Sequence, residues 1–263
     1  MKPMLKMLRF EVHVCDHCNL NCKGCGHFAP VAEKNFVNTA VLERDFMRLS
    51  ELTGRKCETV DLMGGEPLLH PEIMDIFRIA RKYFDTPIQV ITNGILLAGQ
   101  PDEFWRSCEQ NHITVVISVY PVEINIEKIK AQALNFNVKL EMRPKFGEED
   151  WHKSTIDIYG GQNIETAYDN CISGGTCLFL QDGRLAPCSR PLLSKHINNY
   201  FSESEYKFSE PSEEDFIDIF KANSLFEILE KFTRPIPYCR YCKTDNRVYT
   251  KWDLSKKQIG EWL

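Results

Sequence analysis

Three cysteines inside one short loop constrain this chain more than any other feature: Cys18-Asn-Leu-Asn-Cys22-Lys-Gly-Cys25. Thiolates are soft ligands suited to iron–sulfur clusters, and a 4Fe–4S cube offers four corners. Three closely spaced thiolates fill three corners and leave one iron open to a small ligand. The loop directly follows an alternating apolar run, Phe10-Glu-Val-His-Val-Cys15, that reads as a β-strand. A zinc knuckle or a closed relay cluster also fits these cysteines, with Cys15 as fourth thiolate. Against that, Cys15 belongs to the strand pattern. A bacterial-ferredoxin run places Pro after its last cysteine, whereas Gly26 stands here.

The chain has 263 residues, a length that suggests one barrel-sized domain with an appendage. Acidic and basic residues are interleaved for a net charge of −5, with no basic stripe, so nucleic acid is not an expected partner. No run approaches membrane-spanning length, and Met1–Arg9 lacks a continuous apolar stretch, so the chain reads as cytoplasmic with no membrane partner. The 11 cysteines cluster in pairs and triplets, which favours metal ligation under reducing conditions over disulfides. Cys57 and Cys108 stand alone and read as small core hydrophobes.

Strand and helix patterns alternate through the first half. Phe10–Cys15, Glu58–Met63, Ile88–Ile91, Ile113–Val119 and Val138–Met142 read as strands. Thr39–Glu51 (closed by Gly54), Pro71–Phe84, Asp102–Gln110 and Glu127–Leu134 read as the helices between them. Near-continuous apolar strands alternating with helices predict a parallel sheet covered by helices. Thr155-Ile-Asp-Ile158 is the best candidate for a sixth strand. The marked residues all fall just after strands, the edge that carries active sites in α/β barrels. Beyond residue 170 the alternation stops. Leu178–Leu180 and Arg184–Ala186 predict a hairpin through Asp182-Gly183. Ser212-Glu-Glu-Asp215 predicts the start of a helix running through Phe216, Ile219, Phe220, Leu225, Phe226 and Leu229.

A second motif, Gly64-Gly65-Glu66-Pro67, follows the second strand. It has a plain structural reading, a tight strand-to-helix turn with Pro near the helix start. With the cysteine triplet it resembles the radical S-adenosylmethionine (radical SAM) superfamily. That resemblance implies an α/β fold, a partial (β/α)6 TIM-like barrel at 1–165. It also implies a 4Fe–4S cluster on Cys18, Cys22 and Cys25 whose open iron chelates S-adenosylmethionine. One-electron reduction would cleave that cofactor to methionine and a 5′-deoxyadenosyl radical, which abstracts a substrate hydrogen. The motif would hold the methionyl amino group through Gly64, Gly65, Glu66 and Pro67. Asn93 in Thr92-Asn93-Gly94, Ser118, and Arg143 at the end of the fifth strand would add polar contacts. Each also reads as a turn residue, a satisfied hydroxyl or a solvated cation. The superfamily usually has an aromatic before the third cysteine, near the adenine; here it is Gly24, and His27 or Phe28 is the expected substitute.

The C-terminal half carries Cys171, Cys177, Cys188 and Cys239-Arg-Tyr-Cys242, with Gly183 five positions before Cys188. This resembles the twitch or SPASM appendage of radical SAM enzymes, a small α+β iron–sulfur domain expected at 166–263. The resemblance implies an auxiliary 4Fe–4S cluster on Cys171, Cys188, Cys239 and Cys242, with Cys177 able to replace Cys171. The long closed loop is no obstacle, since each doubling costs only ~0.6 kcal/mol. A zinc ribbon with two thiolate pairs fits equally well.

A closed auxiliary cluster suits electron transfer and points to substrate oxidation, or to epimerisation if a hydrogen donor returns the atom. Removing the proton of an oxidised carbinol needs a base. His27, Glu141 and His152 are candidates. The first strand begins around Phe10, leaving no room for a preceding peptide-recognition domain. The expected substrate is therefore a small polar metabolite, a sugar or aminocyclitol, as in the 2-deoxy-scyllo-inosamine dehydrogenase type. A flavodoxin- or ferredoxin-type protein is the expected reductant. A peptide maturase acting on a ribosomal precursor and a non-catalytic iron–sulfur or zinc electron-relay protein are the competing readings.

Overall fold

The computed structural model describes residues 8–143, 151–153, 155–171, 177–203, 208–245 and 248–263. Its first half is a run of strand–helix units. The strands are β1 (Arg9–Cys15), β2 (Thr59–Gly64), β3 (Ile88–Thr92), β4 (Ile113–Ile117) and β5 (Leu140–Met142), each parallel to the next. Helices α1 (Thr39–Thr53), α2 (Ile73–Tyr83), α3 (Asp102–Gln110) and α4 (Ile126–Asn135) connect them. The boundaries follow local chemistry. The Asn38 side chain accepts the N–H groups of Ala40 and Val41 at the start of α1, and Gly54 ends it at a left-handed φ of 60°. The central strands β1–β4 are largely buried, the edge strand β5 is not, and helix aromatics such as Phe46 and Phe77 seal the layer at 0% exposure. The fold is α/β with a parallel core, as the sequence predicts.

The second half continues with β6 (Trp151–Lys153), α5 (Ile164–Asp169), β7 (Leu178–Gln181), β8 (Arg184–Ala186), α6 (Arg190–Leu193) and α7 (Lys195–Tyr200). It ends with β9 (Ile217–Asp218), α8 (Leu225–Lys231) and β10 (Val248–Thr250), which pairs with β6. The main sheet runs β5-β4-β3-β2-β1-β7-β8-β9. Across the expected division after residue 165 the sheet is therefore continuous, because β7 lies parallel to β1 on its free edge.

Two expectations change. The sixth parallel strand is Leu178–Gln181, not Thr155–Ile158. In the latter the Asp157 carboxylate accepts the N–H groups of Tyr159 and Gly161 and turns the chain, leaving Ile156 only a bridge to Cys242. No helix begins at Ser212. Asp215 is buried and accepts both the N–H and the hydroxyl of Ser212 on one oxygen, and Tyr238 N–H on the other. That closes a turn; β9 follows, and the helix starts only at Ser224, which caps Glu227 N–H. The predicted hairpin forms at Asp182-Gly183, both at positive φ (50° and 73°), as a two-residue turn demands.

Candidate metal and cofactor sites

The C-terminal ends of β1 and β2 meet at the cysteine loop, and the glycine pair is what lets them meet. A Cβ on Gly64 would drive into the Cys15 carbonyl, and one on Gly65 into the His17 carbonyl. Without side chains, Gly65 N–H donates to Cys15 O at 2.7 Å and Glu66 N–H to His17 O at 3.1 Å. His27 Nδ1–H closes the loop's far side on Gly64 O at 3.3 Å.

Glu66 is 1% exposed and holds the end of β3 in place. Its carboxylate accepts Leu68 N–H (3.0 Å), Thr92 Oγ1–H (2.7 Å) and Asn93 N–H (2.9 Å). Burial pushes its pKa up to about 7 against these three donors. The Glu66 carboxylate is thus spent inside the protein, while the Gly64 and Gly65 backbone faces the pocket. Pro67 opens a buried single turn behind it. Asn93 reaches the other way: Nδ2 donates to Asn19 Oδ1 at 2.7 Å and stands 3.7 Å from Cys18 Sγ.

These ends enclose a pocket of about 230 Å³ that opens to solvent. Cys18, Cys22 and Cys25 form one wall, and Gly64, Gly65 and Asn93 another. His27, Ser118, Tyr120 and Arg143 complete it, with Arg143 exposed at the rim. Burial pushes the Cys18 thiol up to about 11 and Cys22 to about 12, and raises Cys25 as well. Thiols this reluctant to ionise lose their protons to a bound cation, which neutralises the thiolate charge.

The chain's C-terminal residues return to brace this loop. Lys23 N–H donates to Asp253 O (2.9 Å), Ser255 N–H to Asn21 O (2.8 Å), and the Trp262 indole N–H to Cys25 O (2.9 Å). The Trp252 indole N–H is buried beside Cys22 and directed at its thiol, where it opposes the effect of burial. Below the loop, His13 Nδ1 sits 3.0 Å from Asp16 Oδ1, and Asp16 also takes Asn35 (2.8 Å) and Gln181 (3.3 Å) while facing His196 at 3.7 Å. Burial, opposed by Asp16, lowers His13 to about 4.

A second, much smaller cavity of about 30 Å³ lies between α5, α6 and the turn Pro237–Tyr241. Cys171, Cys188, Cys239 and Cys242 line it, with Ala167, Pro187, Pro191, Ile236 and Tyr238 as apolar wall. Cys177 does not, and its segment leads into β7 instead. Cys15 Sγ lies 3.2 Å from His17 O as its donor, outside both cavities.

The family described as "Radical SAM superfamily" matches residues 12–166, more than half of the chain. The chain belongs to the radical SAM superfamily. A curated relative, GTP 3′,8-cyclase of Chlorobaculum tepidum, is 34% identical over 98 residues, 35% of this chain and 27% of the cyclase. The crystal structure of BtrN in complex with AdoMet and 2-DOIA superposes with a TM-score of 0.55 at 14% identity, covering 90% of this chain and 93% of that one. That is a likeness of fold. SuiB of Streptococcus suis bound to precursor peptide SuiA follows at a TM-score of 0.40 and 12% identity, over 84% and 66%.

A radical SAM protein carries a 4Fe–4S cluster and S-adenosylmethionine, and the first pocket fits both. Three soft donors share one wall, no fourth of that type lines it among the described residues, and the Trp252 N–H is directed at Cys22 as a donor to its sulfur. Of the base candidates whose side chains are described, His27 lines the pocket and Glu141 does not. Glu141 lies on β5 paired with Lys139 at 2.6 Å, and His152 on β6 opposite Tyr249, its side chain outside the described residues. Phe28 is buried against Trp262 rather than in the pocket. Tyr120 is the aromatic there, two residues after Ser118 in the stretch Ser118-Val-Tyr-Pro121 expected to contact the cofactor, though not itself singled out from the sequence. Among the described residues no helix is long and apolar enough to cross a membrane.

Proposed function

We propose that this radical SAM protein is an oxidoreductase that dehydrogenates a small polar metabolite, a sugar or aminocyclitol. The observation carrying this reading is the second cavity: four cysteines from three separated segments converge on one apolar chamber, apart from the three-cysteine pocket. Four thiols lining one chamber beside a three-cysteine pocket suit an auxiliary 4Fe–4S cluster, with a zinc ribbon of two thiolate pairs as the competing occupant.

The division of labour follows from what lines each cavity. When bound, the first cluster and S-adenosylmethionine supply the radical that removes a substrate hydrogen atom. Cys18, Cys22 and Cys25 hold that cluster and leave its fourth corner free. The Gly64 and Gly65 backbone, Asn93 and Ser118 line the space for the methionyl and ribose groups, and Tyr120 offers a face to the base. Arg143 stands at the rim as a cation for a carboxylate or a substrate hydroxyl. Residues 1–165 build this machinery, while 166–263 supply Cys171, Cys188, Cys239 and Cys242, which close every corner of a cluster that accepts an electron. The amide, hydroxyl and cation in the pocket wall suit a compact polar substrate. A flavodoxin- or ferredoxin-type protein supplies electrons in a reducing compartment, the cytoplasm.

The test is anaerobic turnover with C–H-deuterated sugars, aminocyclitols and short peptides. Deuterium in 5′-deoxyadenosine with a ketone product from a polyol supports the reading. Labelling only by peptides would replace it with a peptide maturase.

A further inference from the structure

Arg190 has no role in anything described so far, yet it occupies a singular place. It opens α6 two residues after Cys188, and its guanidinium turns inward. One nitrogen, Nη1, stands 3.0 Å from Cys242 Sγ and 3.4 Å from Thr155 O. No carboxylate lies within ion-pair reach of it among the described residues; the arginines that do pair, such as Arg9, Arg48 and Arg55, have acidic partners. An arginine stays charged in any protein setting. A partly buried guanidinium directed at a neutral thiol makes poor electrostatic sense. Directed at a thiolate of a cluster with net negative charge, it makes good sense: the donor and the charge both face what they stabilise.

We propose that Arg190 is the counter-charge of the auxiliary cluster: it stabilises the more negative, reduced state and so makes the cluster a better one-electron acceptor. This rests on the auxiliary-cluster reading given above. A carbinol carbon that has lost a hydrogen atom becomes a carbonyl by releasing one proton and one electron. The cluster takes that electron, falling by one in charge, and a nearby fixed cation favours that fall. Arg190 acts through Cys242 and is a positioning residue for charge, not a catalytic one. Lysine at this place keeps the charge but loses the planar fork; glutamine keeps some hydrogen bonding but loses the charge.

The experiment uses the full chain with Cys18, Cys22 and Cys25 all changed to Ala, so that only the second site holds iron. Its cluster is titrated anaerobically by dithionite, followed by electron paramagnetic resonance, with Arg190, Arg190→Lys and Arg190→Gln. Arg190→Gln is expected to lower the reduced-to-oxidised ratio at a fixed potential by about tenfold, a downward shift of about 59 mV for a one-electron couple. Arg190→Lys is expected to recover most of it. If Arg190→Gln cannot hold the cluster while Arg190→Lys can, the charge is needed for assembly and the proposal stands. It is overturned if Arg190→Gln titrates at the parent potential, or if both variants lose the cluster alike, which would mark a role in shape alone. Should the parent chain bind no iron–sulfur cluster at all, or one zinc instead, the auxiliary-cluster reading itself falls, an outcome told apart by metal content.

Discussion

The chain's two cysteine sites are built from opposite materials. The first gathers three thiols from a single loop and sets them against bare backbone, amides, a hydroxyl and a cation. The second gathers four from segments that meet only in the folded chain and surrounds them with proline, alanine, isoleucine and tyrosine. Polar groups in the first wall have something to bind beyond metal. The walls of the second are mostly apolar, and their low polarity strengthens whatever charge interactions the thiols make. In the function proposed above, the first site receives a molecule and the second holds charge.

The largest effect follows from separating them. Changing Cys18, Cys22 or Cys25 to Ala is expected to abolish 5′-deoxyadenosine formation. Changing Cys239 or Cys242 to Ala leaves slow S-adenosylmethionine cleavage intact but removes substrate oxidation. Iron per chain should fall from about eight to about four in either case, two clusters to one. Chromatography of the nucleoside products together with iron analysis reads all of this. If Cys242→Ala also silences cleavage, the contrast between a receiving and a storing site collapses.

The two sites also rest on different floors. Beneath the first, His13 is 2% exposed, its Nδ1 donating to Asp16 and its Nε2 without a hydrogen bond. Protonation would give Nε2 a buried hydrogen with no acceptor, a cost that adds to burial. The sign follows: the pKa falls from 6.5 to about 4 on folding, so between those values the unfolded chain holds the proton and the folded chain does not. The contribution of neutral His13 is complete above pH 6.5 and is lost as the pH drops through this window, by on the order of 3 kcal/mol. Urea unfolding of the metal-free chain from pH 7 to pH 4 measures it, and His13→Gln should flatten the slope. An unchanged slope in His13→Gln would show that the network beneath the first site is not pH-sensitive through His13.

The same contrast explains what could be read from sequence. The first site was legible because its ligands are neighbours in the chain and its strands are uniformly apolar: the loop, the glycine pair and Asn93 came together where the alternation placed them. The second site's four ligands were legible only as a cysteine pattern, since nothing local brings Cys171 to Cys239. What escaped was set by tertiary competition. Asp157 and Asp215 spend their side chains on turns, and those turns broke the expected strand at 155–158 and the expected helix from Ser212. Leu178–Gln181 took the free edge of β1 because its apolar residues fit a position buried on both faces. Glu66 reads in sequence as a ligand-facing acid; in the fold its Oε1 accepts from Leu68 and Thr92 and its Oε2 from Asn93, contacts no local pattern announces. Trp252, Trp262 and Arg190 lie far in sequence from the atoms they touch, and no spacing rule marks them.

The smallest expected effect tests whether the C-terminal brace belongs to the first site alone. Trp262 is 0% exposed, packs its ring 6.3 Å from that of Phe28, and donates its indole N–H to the Cys25 carbonyl. Trp262→Phe keeps an aromatic ring there but removes the donor, leaving a carbonyl of the cysteine loop unpaired. The cost is about 1 kcal/mol, near the net worth of one hydrogen bond. Little of it should appear as global unfolding, because the core contacts survive. It should appear as faster chelator-driven loss of iron from the first site, by about fivefold for that energy if it all falls on opening of the loop. Variants that hold iron at only one site let the two be timed separately, and the second site should release iron at the parent rate. Equal acceleration at both would mean that the tail stiffens the whole molecule rather than the loop carrying Cys18, Cys22 and Cys25, and the material contrast between the sites would then have no counterpart in how firmly each is held.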